Sequence, residues 1–277
     1  MARTPSMRRE PCVGNRAAPG RRVVQWGAGS GLAVTALLAA ELMWAAFRPL
    51  PSMIGLDASG LVPAGAVEPP LRIVALGDSS LTGPGLAAAE HVWLRVGLDR
   101  LGHDEPIDLL SLAVGGSRVV DVDHRVDQAL AVRPDLVVVA VGANDALRGT
   151  PRRQFRVDFD RVIGRLLEGT PVVAAANVGD LGNIARVPRP LSAVLHARAR
   201  SMCSIIEDVV ASHERAVLID VTAADDVFRD RAVFTADRFH PGPVGHVAWA
   251  EAAAPGLRRA VELSRHHRSV AVEASVP

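Results

Sequence analysis

The sequence predicts an α/β protein, a three-layer α/β/α domain around a five-stranded, mainly parallel sheet, preceded by one N-terminal transmembrane helix. Three observations carry this reading. Five short apolar runs recur after residue 70, amphipathic stretches separate them, and eighteen uncharged residues follow an arginine-rich start.

Residues 1–22 carry Arg3, Arg8, Arg9, Arg16, Arg21 and Arg22 against the single acid Glu10. Val23 to Ala40 then runs without a charge. At roughly 1.5 Å per helical residue this run spans about 27 Å, close to the roughly 30 Å of bilayer hydrocarbon, and Leu42 to Phe47 extends it. Residues 23–47 are therefore read as an anchor, with Trp26 and Trp44 at interfacial positions and Glu41 near the exit side. A cleaved signal peptide is the competing reading. It lacks a well-placed small-x-small site: cleavage after Ala40 puts Leu38 three residues from the cut, and Ala64-Gly65-Ala66 lies far beyond the apolar run. The arginine bias places residues 1–22 in the cytoplasm and the rest outside it, with secretion after cleavage as the alternative.

Residues 48–70 hold five prolines and read as a linker. The globular domain is expected over residues 71–264, and residues 265–277 as a flexible tail. Within the domain the runs Leu71 to Leu76, Ile107 to Ala113, Leu136 to Val141, Val172 to Asn177 and Ala216 to Asp220 are the candidate strands, apolar on both faces. Helical spacing marks about Ala88 to Leu101, Val119 to Val132, Phe155 to Leu167, Leu191 to Ser212 and Val244 to Leu263. Parallel sheets bind ligands at the carboxyl ends of their strands, so chemistry belongs in the residues that follow each run.

Those residues are polar. The first run ends in Gly77-Asp78-Ser79-Ser80, with Ser79 at a strand-to-helix turn, and the third in Gly142-Ala143-Asn144-Asp145. Near the C-terminus stands Asp237-Arg238-Phe239-His240-Pro241, where a carboxylate three residues before a histidine can support a serine as its base. Plainer readings exist for these and for Gly116, which follows the second run: Ser79 as a helix cap, Gly116 as a turn former, Asn144 as a turn residue. Asp78 and Asp145 read better as capping and loop-fixing groups than as catalytic ones. Of the nine histidines only His246 rivals His240, and the helix expected to begin near Val244 turns it away.

In these motifs the chain resembles the SGNH, or GDSL, hydrolase superfamily over about Leu71 to Leu263. Gly77-Asp78-Ser79 matches the nucleophile block and Ser111 to Ser117 the second block, with Gly116 at the oxyanion-hole glycine. Gly142-Ala143-Asn144-Asp145 matches the block that supplies a further oxyanion donor, and Asp237-x-x-His240 completes the triad. The resemblance implies a flavodoxin-like sheet and a serine esterase or lipase. Ser79 would be its nucleophile, His240 its base and Asp237 the orienter, with an oxyanion hole of Ser79, Gly116 and Asn144. Ser111 departs from the asparagine that often opens the second block, which alters a supporting hydrogen bond rather than the chemistry. An O-acyltransferase with the same triad, or a non-catalytic binding module on the same fold, are the alternatives.

The implied substrate is an ester, a lipid or an acylated cell-envelope sugar, and the other expected partner is the membrane. No cofactor or metal is expected, since Cys12 and Cys203 are too few for a thiolate site, and Cys203 reads as a small core residue. A net charge of +1 speaks against nucleic acid. A Rossmann nucleotide binder is disfavoured because Gly83-Pro84-Gly85-Leu86-Ala87-Ala88 starts too late after the strand, and an α/β-hydrolase because no G-x-S-x-G elbow exists.

Overall fold

The computed structural model describes residues 33–41, 43–44, 53–63, 69–102 and 105–273. It divides into two units, residues 1–44 and 45–277. In the first, residues 33–41 and 43–44 are helical and expose Val34, Leu37, Met43 and Trp44. The rest of the expected membrane anchor, the basic residues 1–22 and Cys12 lie outside the described residues. Among the described residues no helix is long and apolar enough to cross a membrane.

The second unit is a three-layer α/β/α domain. Its sheet has six strands rather than the expected five, in the order β1-β3-β2-β4-β5-β6. Five are the anticipated parallel runs: β2 (Leu71–Gly77), β3 (Ile107–Ser111), β4 (Leu136–Ala140), β5 (Val172–Ala176) and β6 (Ala216–Ile219). The sixth, β1 (Gly60–Val62), pairs antiparallel with β3 at the edge. It comes from the segment read as a linker, so the domain begins before Leu71.

Because successive strand residues point to opposite faces, each central strand contributes to both cores. Ile73, Ala75, Val138, Ala140, Ala174 and Ala176 face one side, where α2 (Trp93–Arg100) and α8 (Pro243–Glu273) supply Trp93, Leu94, Leu98, Ala253 and Leu257. Val74, Leu76, Val137, Val139, Val173 and Ala175 face the other. That side is covered by α3 (Val119–Asp123), α4 (Val126–Ala131), α6 (Arg152–Gly169) and α7 (Leu191–Ala211). Two further short helices, α1 (Ser79–Thr82) and α5 (Ala143–Arg148), follow β2 and β4.

Two more expectations are corrected. The helix anticipated over Val119 to Val132 is broken into α3 and α4 at His124 and Arg125. The supposed tail continues α8 to Glu273: Arg265 Nε donates to Glu105 Oε1 at 2.6 Å, Arg268 also pairs with Glu105, and Arg268 donates to the Pro70 carbonyl at 3.2 Å. These long-range contacts hold the last helical turns against the start of β2.

From β2 the chain moves outward to β3 and then crosses back to β4 on the other side. The strand order therefore reverses between β2 and β4, and the crevice beyond their carboxyl ends is where open α/β sheets take ligands.

Candidate active site

Ser79 follows β2 at that crevice. Gly77 closes the strand so tightly beside β4 that a Cβ there would lie 2.2 Å from the Ala140 carbonyl oxygen. Buried Asp78 then caps α1, its Oδ1 accepting the Ser80 N–H at 2.9 Å, and Ser79 becomes the first residue of the helix. Leu81 and Thr82 are buried beneath it, and left-handed Gly83 ends the turn. Ser79, partly exposed, thus sits on a short, anchored helix rather than a loose loop.

The second block runs from Ser111 along the same edge. Leu112 and Val114 donate to the Ala75 and Gly77 carbonyls at 2.8 and 3.0 Å, extending the ladder past the end of β3. Gly115 comes against Ser79, where an added Cβ would lie 3.9 Å from the serine Cβ. Gly116 has φ +81°, a conformation that costs a side-chain-bearing residue strain. Arg125 braces the loop, donating to the Leu112 carbonyl at 3.1 Å and to Ser117 Oγ at 2.6 Å.

Asn144 lies in the first turn of α5. Gly142, at φ +124°, turns the chain off β4 where a Cβ would meet Val178 at 3.0 Å. Asn144 Nδ2 donates to Asp78 Oδ2 at 3.2 Å, linking the first and third blocks. Asp145 is structural: it accepts the Val119 N–H and the Thr150 hydroxyl, each at 3.0 Å, fastening α5 to α3 and its own loop. Burial pushes both Asp78 and Asp145 above the usual carboxylate range, against the pull of these hydrogen bonds.

Asp237 and His240 share one tight turn, closed by the Thr235 N–H on the His240 carbonyl at 2.8 Å. Asp237 Oδ1 accepts from Thr235 Oγ1, Phe239 N and His240 N at 2.7, 2.8 and 2.9 Å. Its Oδ2 lies 2.6 Å from His240 Nδ1. Burial favours the neutral acid here, but the hydrogen bonds outweigh it and hold Asp237 below the usual carboxylate range. An ionised carboxylate only accepts, so in a neutral ring Nδ1 carries the proton and Nε2 keeps its lone pair, able to accept one.

His246 is no rival. It is buried, its Nδ1 accepts the Trp93 N–H at 3.1 Å, and burial pushes its pKa down to about 3. It caps α2, which has no other side-chain cap. Cys203 is a core residue whose thiol meets the Val178 carbonyl and is pushed up to about 11 by burial.

Two cavities meet at Ser79, Asn144, Phe239 and His240. One, of about 120 Å³, is mostly apolar and includes Trp93, Leu147, Val178, Ile184, Phe228 and Trp249. The other, of about 630 Å³, is more polar and includes Met53, Leu56, Asp57, Ser111, Val114 and Gly116. Gly116 thus stands in the same open cavity as Ser79 and Asn144. Sequence reasoning missed Asn177, Thr235 and the residues before β1. Asn177 was within reach of the strand-end rule: it follows β5, lines the apolar cavity, and ties Asp220 and the Val221 N–H at 2.9 Å each.

Residues 75–248 match the GDSL-like Lipase/Acylhydrolase family. A GDSL-like esterase of Mycobacterium tuberculosis is 31% identical over 204 residues, which span 69% of this chain and 63% of that relative. The fold is similar to that of the lipase/acylhydrolase from Enterococcus faecalis, with a TM-score of 0.53 at 24% identity, covering 68% of this chain and 95% of that one. It is similar too to the psychrotrophic esterase EstA from Pseudoalteromonas sp., with a TM-score of 0.55 at 17% identity over 69% of this chain and 99% of that one. Motifs at the ends of β2, β3 and β4, the paired Asp237 and His240, and the match of most of the domain agree: the chain belongs to the GDSL-like lipase/acylhydrolase family.

Proposed function

We propose that the protein is a serine ester hydrolase. The observation that carries the reading is the convergence of Ser79, Asn144 and an Asp237-held His240 on one pair of cavities. Ser79 Oγ attacks the ester carbonyl as His240 Nε2 takes its proton, and Asp237 stabilises the imidazolium. The carbonyl oxygen, now negative, is held by the N–H groups of Ser79 and Gly116 and by Asn144 Nδ2. A carboxamide has two N–H bonds; one of Asn144's engages Asp78, leaving the other for the oxyanion. The alcohol departs with the proton from His240, and water then releases the acid from the acyl-enzyme.

The apolar cavity suits the acyl group and the open one the alcohol. The arginine-rich start and the uncharged run after it support a tethered domain outside the cytoplasm, which brings lipids or acylated envelope sugars within reach. Resistance of the full chain to alkaline extraction from membranes checks the tether, and recovery of a shortened soluble form would replace it with secretion.

The hydrolase itself is tested by treating the full chain with a fluorophosphonate and mapping the adduct by mass spectrometry. The adduct is expected on Ser79 and is expected to be lost in His240→Ala. A folded protein that stays unlabelled, or labels elsewhere, would overturn the assignment.

A further inference from the structure

Residues Met53 to Val62 precede the segment that matches the family, yet they touch three of the four turns that build the site. Leu56 N donates to the carbonyl of Thr82, the last residue of α1, at 2.6 Å. Ser111 N, where the second block opens, donates to Ser59 Oγ at 2.9 Å, and that hydroxyl donates to Asp57 Oδ1 at 2.6 Å. Met53 Sδ lies 3.6 Å from Thr235 Oγ1, the hydroxyl that donates to Asp237.

The segment is held firmly and at close quarters. Arg95 on α2 donates to the carbonyls of Ala58, Gly60 and Leu61 at 3.1, 3.3 and 3.1 Å, and β1 continues the segment into the sheet. A Cβ on Gly55 would lie 2.7 Å from Thr82 Oγ1, and one on Gly85 would lie 2.8 Å from Met53 Sδ. Met53, Gly55, Leu56 and Asp57 therefore form a fixed wall of the open cavity that reaches Ser79 and His240. Asp57 is exposed on that wall, and its Oδ1 takes both the N–H and the hydroxyl of Ser59. Those bonds favour the ionised form, so the wall presents a negative charge.

We propose that Met53 to Asp57 form the alcohol subsite of the ester site, in which the Asp57 carboxylate selects alcohols that carry a positive charge. The inference rests on the ester-hydrolase reading and goes beyond it, because these residues lie outside the family segment. Opposite charges attract across an open, solvated cavity only modestly, so a few-fold preference is the scale to expect.

The test compares acetylcholine with 3,3-dimethylbutyl acetate, which share the acetyl group and the shape of the alcohol and differ in one positive charge. With the full chain, kcat/KM is expected to favour the cationic ester, and Asp57→Asn, which keeps an acceptor for Ser59, to lower that ratio at least threefold. Added salt should lower it in the wild type and not in the variant. Met53→Ala, which widens the wall, should change the relative kcat/KM of bulky and small acetate esters at least threefold. The inference is overturned if Asp57→Asn shifts both isosteric esters by one common factor and Met53→Ala does the same for the bulky and small ones. Wild-type turnover with unaltered ratios would leave the hydrolase standing without this subsite, whereas a wild type that cleaves no ester removes both.

Discussion

Asp237 grips His240 twice: its Oδ2 lies 2.6 Å from the ring Nδ1, and its Oδ1 accepts the same residue's backbone N–H at 2.9 Å. One carboxylate thereby fixes both the ring and the turn that presents it. Asp237→Asn puts an amide against Nδ1 and favours the wrong tautomer, so kcat is expected to fall about 10⁴-fold, as for the corresponding change in serine proteases. The far-ultraviolet spectrum should keep its native shape. Steady-state kinetics on an aryl acetate measures the loss, and a fall of less than tenfold would remove Asp237 from this role.

His246 makes stability depend on pH. Its folded-state pKa, about 3, lies below the ordinary value of 6.5, so the unfolded chain binds the extra proton between them. The contribution is complete above about pH 6.5 and is lost as the pH falls toward 3. At about 1.4 kcal/mol per unit, acidification from pH 6.5 to 5 should remove about 2 kcal/mol. Urea unfolding at the two pH values should show this extra loss in the wild type relative to His246→Ala, which is less stable at neutral pH because α2 loses its cap. Parallel losses in both proteins would contradict the account. Asp237, held below its ordinary value, contributes in a lower window: its stabilisation is present above about pH 4 and lost as the pH falls further.

Asn144→Ala removes one proposed oxyanion donor and the bond to Asp78. Loss of a comparable donor lowers kcat by about 10² to 10³. The prediction is a fall of that size in kcat with KM changed by less than threefold. A purely structural Asn144 would instead lower stability while leaving kcat per folded molecule near the wild type.

The apolar cavity, proposed to take the acyl group, sets a limit on the length of its chain. Its volume is about 120 Å³, and a cavity of about 150 Å³ holds a benzene molecule. Acyl groups of up to about four carbons should therefore fit, and kcat/KM across a series of aryl esters should fall at least tenfold well beyond that length. A profile still rising at dodecanoyl would place the acyl chain elsewhere.

The parallel strands were legible because burial on both faces requires unbroken apolar runs, as in Leu136 to Ala140. Their helices were legible from spacing, and the polar residues after β2 and β4 from the strand-end rule. β1 left no such mark: of its three residues only Val62 is buried, and Arg95 and pairing with β3 hold it in place. Nearby prolines made the same stretch read as a linker. The last turns of α8 were missed for a similar reason, since the Glu105 that engages Arg265 and Arg268 lies some 160 residues away in sequence. At the site, the four motif blocks are local strings, whereas the Met53 and Leu56 contacts depend on how distant turns meet.

The face of the sheet lined by Ile73, Ala75, Val138, Ala140 and Ala174 is closed in large part by Ala250, Ala253, Leu257, Ala260 and Val261 of α8. The strands it covers emerge from the ribosome well before that helix does. During synthesis this oily surface therefore waits in water, open to mispairing and to chaperones, until residues 243–273 arrive. The turn of Asp237 and His240, proposed as orienter and base, is made just before α8, so this part of the site and the cover that locks its sheet arrive together, long after Ser79, Gly116 and Asn144.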